Sequence, residues 1–509
     1  MKRFLSGDEA FAEGVRLARP QVISAYPITP QTVVVERLSE MVEDGSLAAE
    51  YVHVESEHSA LSCAIGASAT GARTFTATSS QGLLYMAECL TYAAGGRFPI
   101  VMMNANRATA LPWNIYGDQR DSLALLDHGW IQVYAEDNQE ALDLALMAYA
   151  VAENPAVATP VMVNLDGFAL THTYETVDVP RTAEADAFLP PYEPAGNRFD
   201  FEHPVNIGFS AGPEYNRYFK YWEHRDMLDA PAVVTQVEQR FAEVFGRQYP
   251  GMIETLDCDD ADVILVTLGS AAGLVRSVCG SCATRACARA CCASATCVPC
   301  RARSSPRRCA ARRLWECWRG RVVRRRGHRV HECELSAAAG GRGRAHVQLR
   351  GRPGRRRYIG NAGARHVPHA RAGGRGDGRA AACIVPRDRF SGGCARCGKG
   401  AVAMAVNAKN ITDDEFFFGH KACAGCGGSL AVRAALKVLG PNAVCALPAG
   451  CMSAVGFNFP QLSFANNAMI TPFAATASVL TGIEAGLRAQ GKKPDDCTVV
   501  GFAGDGGTA

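Results

Sequence analysis

Three short stretches carry side chains whose type and placement suit chemistry. In "AYPITP", Thr29 sits between Ile28 and Pro30, in a rigid turn that presents one hydroxyl. "VHVESEHSA" sets Glu55 and Glu57 just before a small-residue helix, and "MMNANRATA" ends an apolar run at Arg107, well placed to grip an anion. Each also has a plain reading: a turn threonine, a solvated glutamate favoured by the helix dipole, a surface arginine. Cysteine is the second resource. Cys423-x-x-Cys426 leads into a helical pattern, and Cys451 ends the run "NAVCALPAGC". Thiolates spaced in this way suit an iron–sulfur cluster, and equally a redox dithiol or half of a zinc site. Cys445, inside the apolar run, reads as core filling.

These side chains need elements to hold them. "QVISAYPIT", "RTFTATSS", "FPIVMMNAN", "TPVMVNLDG" and "DVILVTLGS" read as strands buried on both faces. Helical patterns such as Gln81–Ala94 and Asn138–Ala152 lie between them. That alternation predicts an α/β architecture of parallel sheets covered by helices. Ligands of such sheets bind beyond the strand C-terminal ends, where Thr29, Glu57 and Arg107 all fall. Ser6 and Glu9 fit a helix capping box directly after Met1-Lys2-Arg3, so the N-terminus lacks the apolar core of a secretory signal. The uncharged run Asn466–Gly482 contains Pro472 and is too short and polar to span a bilayer. A cytoplasmic protein with reduced thiols is the expectation.

Taken together, "SAYPITPQT", "ESEHSA", "TATSSQGLLYMAE", "NANRATA" and "DHGWIQVYAEDNQEALD" resemble the α subunit of 2-oxoacid:ferredoxin oxidoreductases, of the pyruvate synthase type. The resemblance covers residues 1–275 in order. It implies a pyrimidine-binding-type domain that supplies half of a thiamine diphosphate site. Glu57 is then the glutamate that hydrogen-bonds the cofactor's aminopyrimidine, and Thr29 and Arg107 hold the substrate carboxylate. The chemistry agrees. A carboxyl sharing its proton with the ring nitrogen favours the imino tautomer that removes the thiazolium proton, and a guanidinium offers a planar fork to a carboxylate.

From Met404, "MAVNAKNITDDEFFFGHKACAGCGGSLAVRAALKVLG" resembles the β subunit of the same family. The resemblance implies a diphosphate-binding-type domain and a [4Fe–4S] cluster with Cys423, Cys426 and Cys451 as three of its four ligands. The motif "AGDGG" implies that Asp505 ligates Mg²⁺ and that the turn Gly504, Asp505, Gly506, Gly507 brings backbone N–H groups to the diphosphate. The fourth cysteine and the asparagine completing the Mg²⁺ shell are expected beyond Ala509.

The net charge of +3 averages two unlike materials. Residues 276–397 hold 29 Arg, no Lys and 5 acidic residues, leaving 24 of the 53 basic and 45 of the 50 acidic residues elsewhere. Thirteen of the 21 cysteines fall there too, without the spacing of a ferredoxin or zinc module. Leu, Ile, Val and Phe number 14 in that stretch, a composition expected to be disordered. An Arg-rich nucleic-acid-binding insert is the alternative, and the scarcity of stacking aromatics argues against it. An Arg/Ala/Gly/Cys/Pro alphabet fits translation in the wrong frame, which would also have erased a stop codon between two genes.

The expected organisation is therefore an α-subunit pyrimidine-binding-type domain (1–245), the start of a second α domain (246–275), a frame-shifted segment (276–403) and the N-terminal part of a β subunit (404–509). The implied reaction converts pyruvate and coenzyme A to acetyl-CoA and CO₂, passing electrons through clusters to ferredoxin. Partners would be γ- and δ-type subunits, with no nucleic acid and no membrane. A branched-chain 2-oxoacid is the alternative substrate. The chain by itself is expected to be inactive.

Overall fold

Four of the five apolar runs form strands in the computed structural model, which describes residues 1–110, 114–194, 196–249, 251–256, 266–282, 411–492 and 496–504. The start of "DVILVTLGS", the stretch 283–403 with its expected disorder, and Asp505, Gly506 and Gly507 lie outside the described residues.

The first flank opens with β1 (Lys2–Ser6), α1 (Gly7–Ala18), β2 (Val22–Ala25), α2 (Thr32–Glu43), β3 (Glu50–His53) and α3 (Glu57–Ala69). It continues with β4 (Thr74–Thr78), α4 (Ser80–Tyr85), α5 (Ala87–Gly95), β5 (Val101–Asn106), α6 (Arg120–Leu123), β6 (Ile131–Tyr134) and α7 (Asn138–Ala152). Then come β7 (Val161–Asp166), β8 (Tyr174–Asp178), α8 (Thr182–Phe188), β9 (Asn206–Ile207), α9 (Pro213–Phe245) and α10 (Ala271–Cys282). The main sheet is parallel, in the order β3-β2-β4-β5-β7-β6. Every residue of β4, β5 and β7 is buried, the pattern of strands covered on both faces.

Local signals act as expected at several ends. Ser6 Oγ accepts from the Glu9 N–H at 3.2 Å and Glu9 Oε2 accepts from the Ser6 N–H at 3.0 Å, the reciprocal cap that starts α1. The helix anticipated over 81–94 divides at Met86 into α4 and α5. One face of the sheet packs against α1, α7 and α9 through Phe11, Phe75, Leu142, Tyr149 and Phe241. Tyr149 also donates its hydroxyl to the Thr74 carbonyl at 3.1 Å.

The second flank holds α11 (Gly427–Leu439), β10 (Ala443–Pro448), α12 (Cys451–Ala454), β11 (Phe457–Asn458), β12 (Gln461–Leu462), β13 (Asn467–Thr471), α13 (Thr476–Ala489) and β14 (Thr498–Gly501). Its sheet runs β14-β10-β13-β9, all parallel, so its last strand comes from the first flank. Asparagines fasten that loan. Asn467 Oδ1 accepts from the Asp200 and Val205 N–H groups at 3.2 and 3.0 Å, and Asn206 Nδ2 donates to the Phe464 carbonyl at 3.1 Å.

The other face of the main sheet is covered by α3 and α5, and α13 lies against α3. Leu61, Ile65, Met102, Val479 and Ile483 share one core across the two flanks. At the helix crossing, a β-carbon on Gly66 would stand 2.1 Å from the Val479 carbonyl oxygen, and one on Gly482 would stand 1.9 Å from that of Cys63. Only glycine lets these two backbones meet. Among the described residues, no helix is long and apolar enough to cross a membrane.

Candidate functional site

Because the main sheet is parallel, the C-terminal ends of β2, β3, β4 and β5 open on one edge, and the loops leaving them meet there. Thr29 follows β2, Glu57 follows β3 as the first residue of α3, Gln81 follows β4, and Arg107 directly follows β5. Ser56 caps α3, its hydroxyl accepting from the Ser59 N–H at 3.2 Å, while Glu55 accepts from the Ser59 hydroxyl. Glu57 turns the other way, against α4. A β-carbon on Gly82 would lie 2.7 Å from both Cγ and Oε1 of Glu57 and 2.6 Å from Thr78 Oγ1, so glycine at 82 makes room for the carboxyl group.

Arg107 is buried, with 5% of its surface exposed. Its Nη1 donates to the Thr29 carbonyl oxygen at 2.7 Å, and its Nη2 donates to Gln81 Oε1 at 2.8 Å. Burial lowers its pKa, against the opposing pull of Asp121 and Glu57, and an arginine remains a cation throughout. The three residues singled out in the sequence thus converge. The bond from Thr29 to Arg107 runs through its main-chain carbonyl, whereas the sequence drew attention to the hydroxyl.

Two residues beside them have no sequence signature of their own. Gln81 lies inside "TSSQGLL", and Asp121 lies in the polar loop "GDQRDSL". Asp121 is fully buried. It accepts from the N–H groups of Ser80 (3.2 Å), Arg107 (3.2 Å) and Ser122 (2.7 Å), and from Nδ2 of Asn106 (2.8 Å) and Asn104 (3.4 Å). Burial pushes its carboxyl up to about 6, against the lowering effect of those bonds.

The pyrimidine half of a thiamine diphosphate site fits this edge. A partly buried carboxyl stands on the first turn of a helix, beside a buried Thr78 hydroxyl that has no hydrogen-bond partner among the described residues. Such an environment favours a hydrogen bond to a ligand nitrogen. Of the diphosphate turn, Gly504 is described, just past β14, while Asp505, Gly506 and Gly507 lie outside the described residues.

The cysteines are placed on adjoining turns. Cys426 is the residue before α11, and hydrogen bonds from the Ser429 and Gly428 N–H groups and the Ser429 hydroxyl lower its thiol pKa. Cys451 opens α12, and Cys423 and Cys451 are exposed. A β-carbon on Gly428 would lie 3.2 Å from Met452 Sδ and 3.8 Å from Cys426 Sγ, so the two turns are neighbours. Among the described residues, however, no three His, Cys, Asp or Glu side chains are gathered as a metal site, so the expected cluster ligands are not assembled. Cys445 is buried in β10, and burial pushes its thiol up to about 12, as core filling would have it.

Comparison with known proteins places this edge in context. The family described as pyruvate flavodoxin/ferredoxin oxidoreductase, thiamine diphosphate-binding, matches residues 13–239. Pyruvate synthase subunit PorA of Methanothermobacter thermautotrophicus is 47% identical over 276 residues, 54% of this chain and 72% of that protein. Its counterpart in Methanocaldococcus jannaschii is 50% identical over 277 residues, 54% of this chain and 71% of that one. Ketoisovalerate oxidoreductase subunit VorA of Pyrococcus abyssi is 48% identical over 276 residues, 54% of this chain and 69% of that protein. Among solved structures, the 2-oxoglutarate:ferredoxin oxidoreductase of Magnetococcus marinus, with 2-oxoglutarate, coenzyme A and succinyl-CoA bound, aligns with a TM-score of 0.45 and 21% identity. That alignment covers 58% of this chain and 54% of the other.

Proposed function

The chain belongs to the 2-oxoacid:ferredoxin oxidoreductase family, as an α-type subunit, and on that premise we propose that it takes part in the oxidative decarboxylation of pyruvate. The reaction joins pyruvate and coenzyme A to give acetyl-CoA and CO₂, and two electrons leave for ferredoxin. The convergence of Glu57, Thr29 and Arg107 on one sheet edge is the observation that carries this reading. Arg107 and Thr29 bind the 2-oxoacid carboxylate, the guanidinium supplying charge and a fixed fork. Glu57 holds a proton on its carboxyl oxygen and shares it with the pyrimidine nitrogen. Bound thiamine diphosphate supplies the electron sink for decarboxylation. Burial on the sheet edge excludes water from Arg107 and strengthens its hold on an anion.

For the second flank, we propose that Cys423, Cys426 and Cys451 are thiolate ligands of a [4Fe–4S] cluster, and that Gly504, Asp505, Gly506 and Gly507 take the diphosphate with Asp505 on Mg²⁺. The adjoining cysteine turns support the first part. Such a cluster would carry electrons onward. The working enzyme would be a cytoplasmic complex with γ- and δ-type subunits.

A branched-chain 2-oxoacid is the second reading, favoured by a VorA relative as similar as the PorA ones. The test is coenzyme A-dependent ferredoxin reduction by the chain assembled with its partner subunits. Pyruvate and 3-methyl-2-oxobutanoate are compared by kcat/KM. A preference for pyruvate is expected, a preference for the branched acid selects the second reading, and reduction on neither removes both.

A further inference from the structure

Arg107 does not hold its own position. Its guanidinium plane is set by Thr29 and by Gln81 Oε1, and Gln81 in turn stands directly after a residue in an unusual backbone state. Ser80 has φ of +48°, in the left-handed region that a non-glycine residue rarely adopts. Several bonds hold it there. Its N–H donates to Asp121 Oδ2 at 3.2 Å, and its hydroxyl, with one proton to share, lies 2.7 Å from Gln81 Oε1 and 3.1 Å from the Ala108 carbonyl oxygen. The same Asp121 oxygen accepts from the Arg107 N–H at 3.2 Å. One buried carboxylate therefore grips the main chain on both sides of the Gln81–Arg107 bond.

From this geometry we infer that Asp121 and Gln81 are positioning residues for the substrate carboxylate: Asp121 fixes Ser80 and the Arg107 main chain, and Gln81 transmits that fix to the guanidinium. The inference rests on the reading of Arg107 as the carboxylate-binding group. Five N–H donors satisfy one carboxylate, an arrangement that works only while Asp121 is ionised. Its raised pKa, about 6, places loss of the acceptor within an accessible range. Above that pH the carboxylate accepts all five bonds. Below it, a proton occupies one oxygen, opposes the donors and loosens the brace. The charged groups that act on the hub are the Arg107 guanidinium, with Glu57 beyond it, and Arg120 on α6, while Tyr134 on β6 reaches it through the Ser122 hydroxyl at 2.9 Å.

The test uses the complex containing the full chain. Asp121→Asn keeps size and removes the charge, and Gln81→Leu removes the acceptor that Arg107 shares with the Ser80 hydroxyl while leaving all five donors to Asp121 in place. Both should raise the KM for the 2-oxoacid by about tenfold, the loss of one hydrogen bond to a charged group, while kcat falls less and the KM for coenzyme A is unchanged. In the parent complex, KM for the 2-oxoacid should rise as pH falls through about 6. In Asp121→Asn that dependence should vanish. If Asp121→Asn does not assemble, Gln81→Leu alone decides the matter by its KM. An unchanged 2-oxoacid KM in Gln81→Leu, or an acid dependence that survives in Asp121→Asn, overturns the inference. Arg107→Met, measured alongside, separates the two failures. If it also leaves KM unchanged, the reading of Arg107 falls; if it raises KM while the other variants do not, only the brace falls.

Discussion

Glu57 occupies the first turn of α3 with its carboxyl against Gly82 and next to the buried Thr78 hydroxyl. Its neighbour Glu55, two residues earlier, is spent on the Ser59 hydroxyl, beside the Ser56 cap. The pair shows how two like residues divide into structural and chemical work by the direction each one faces. Replacing Glu57 with Gln keeps the shape and deletes the titratable proton. In the assembled enzyme this should lower kcat by about 100-fold or more, the usual contribution of a placed general acid–base group. Circular dichroism should be unchanged. Turnover within a few-fold of the parent would remove Glu57 from the chemistry. By contrast, Cys63 and Cys89, both buried with thiols pushed up to about 11 and about 12, are shielded from ionisation and so poorly suited to act as nucleophiles.

Among the elements, the crossing of α3 and α13 matters most, because α3 carries Glu57 at one end and the inter-flank contact along its length. Small residues fill it: "EHSALSCAIGASA" has apolar groups all round, as suits a helix wedged between the sheet and a second helix. Gly482→Ala should cost about 3 kcal/mol, the upper end of overpacking, since its β-carbon falls on the Cys63 carbonyl. Gly95→Ala is the control, where a β-carbon would meet nothing within 4 Å. It should change stability by no more than about 1 kcal/mol. Urea unfolding of the two variants checks this; equal midpoints would mean that the crossing is not the close contact described here.

For the whole molecule, the two flanks share a core and a sheet. Asn206 and Ile207 pair with Ala468 and Met469, and Arg488 on α13 reaches Glu50 on β3 at 3.3 Å. The second flank therefore sits over the sheet whose C-terminal edge holds Glu57 and Arg107. Between them, residues 276–397 carry 29 Arg, no Lys and only 14 Leu, Ile, Val and Phe. We therefore expect the coding DNA downstream of about Val275 to restore strand–helix alternation in another frame, with a stop codon close to Met404. Resequencing decides it: if neither alternative frame does so, the segment is native.

Much of the architecture is determined by the sequence alone, since its causes are local. Strands buried on both faces need an unbroken apolar run, so β4, β5 and β7 announce a covered parallel sheet. A cap needs a hydroxyl and a carboxylate three residues apart, so Ser6 and Glu9 mark the start of α1, and α7 spans Asn138–Ala152 as its pattern predicts. The motifs likewise mark Thr29, Glu57 and Arg107. What the tertiary structure alone decided depends on partners far apart in the chain. Arg107 meets a Thr29 carbonyl 78 positions away, and Asp121 braces a Ser80 N–H 41 positions away. Asn206 is anchored by a carbonyl 260 positions on, which moves β9 out of the flank that encodes it and into the other sheet. A main-chain carbonyl belongs to every residue and a lone asparagine or aspartate has no period, so no local pattern marks these contacts. They exist only once the sheet edge and the helix crossing have brought the backbones together.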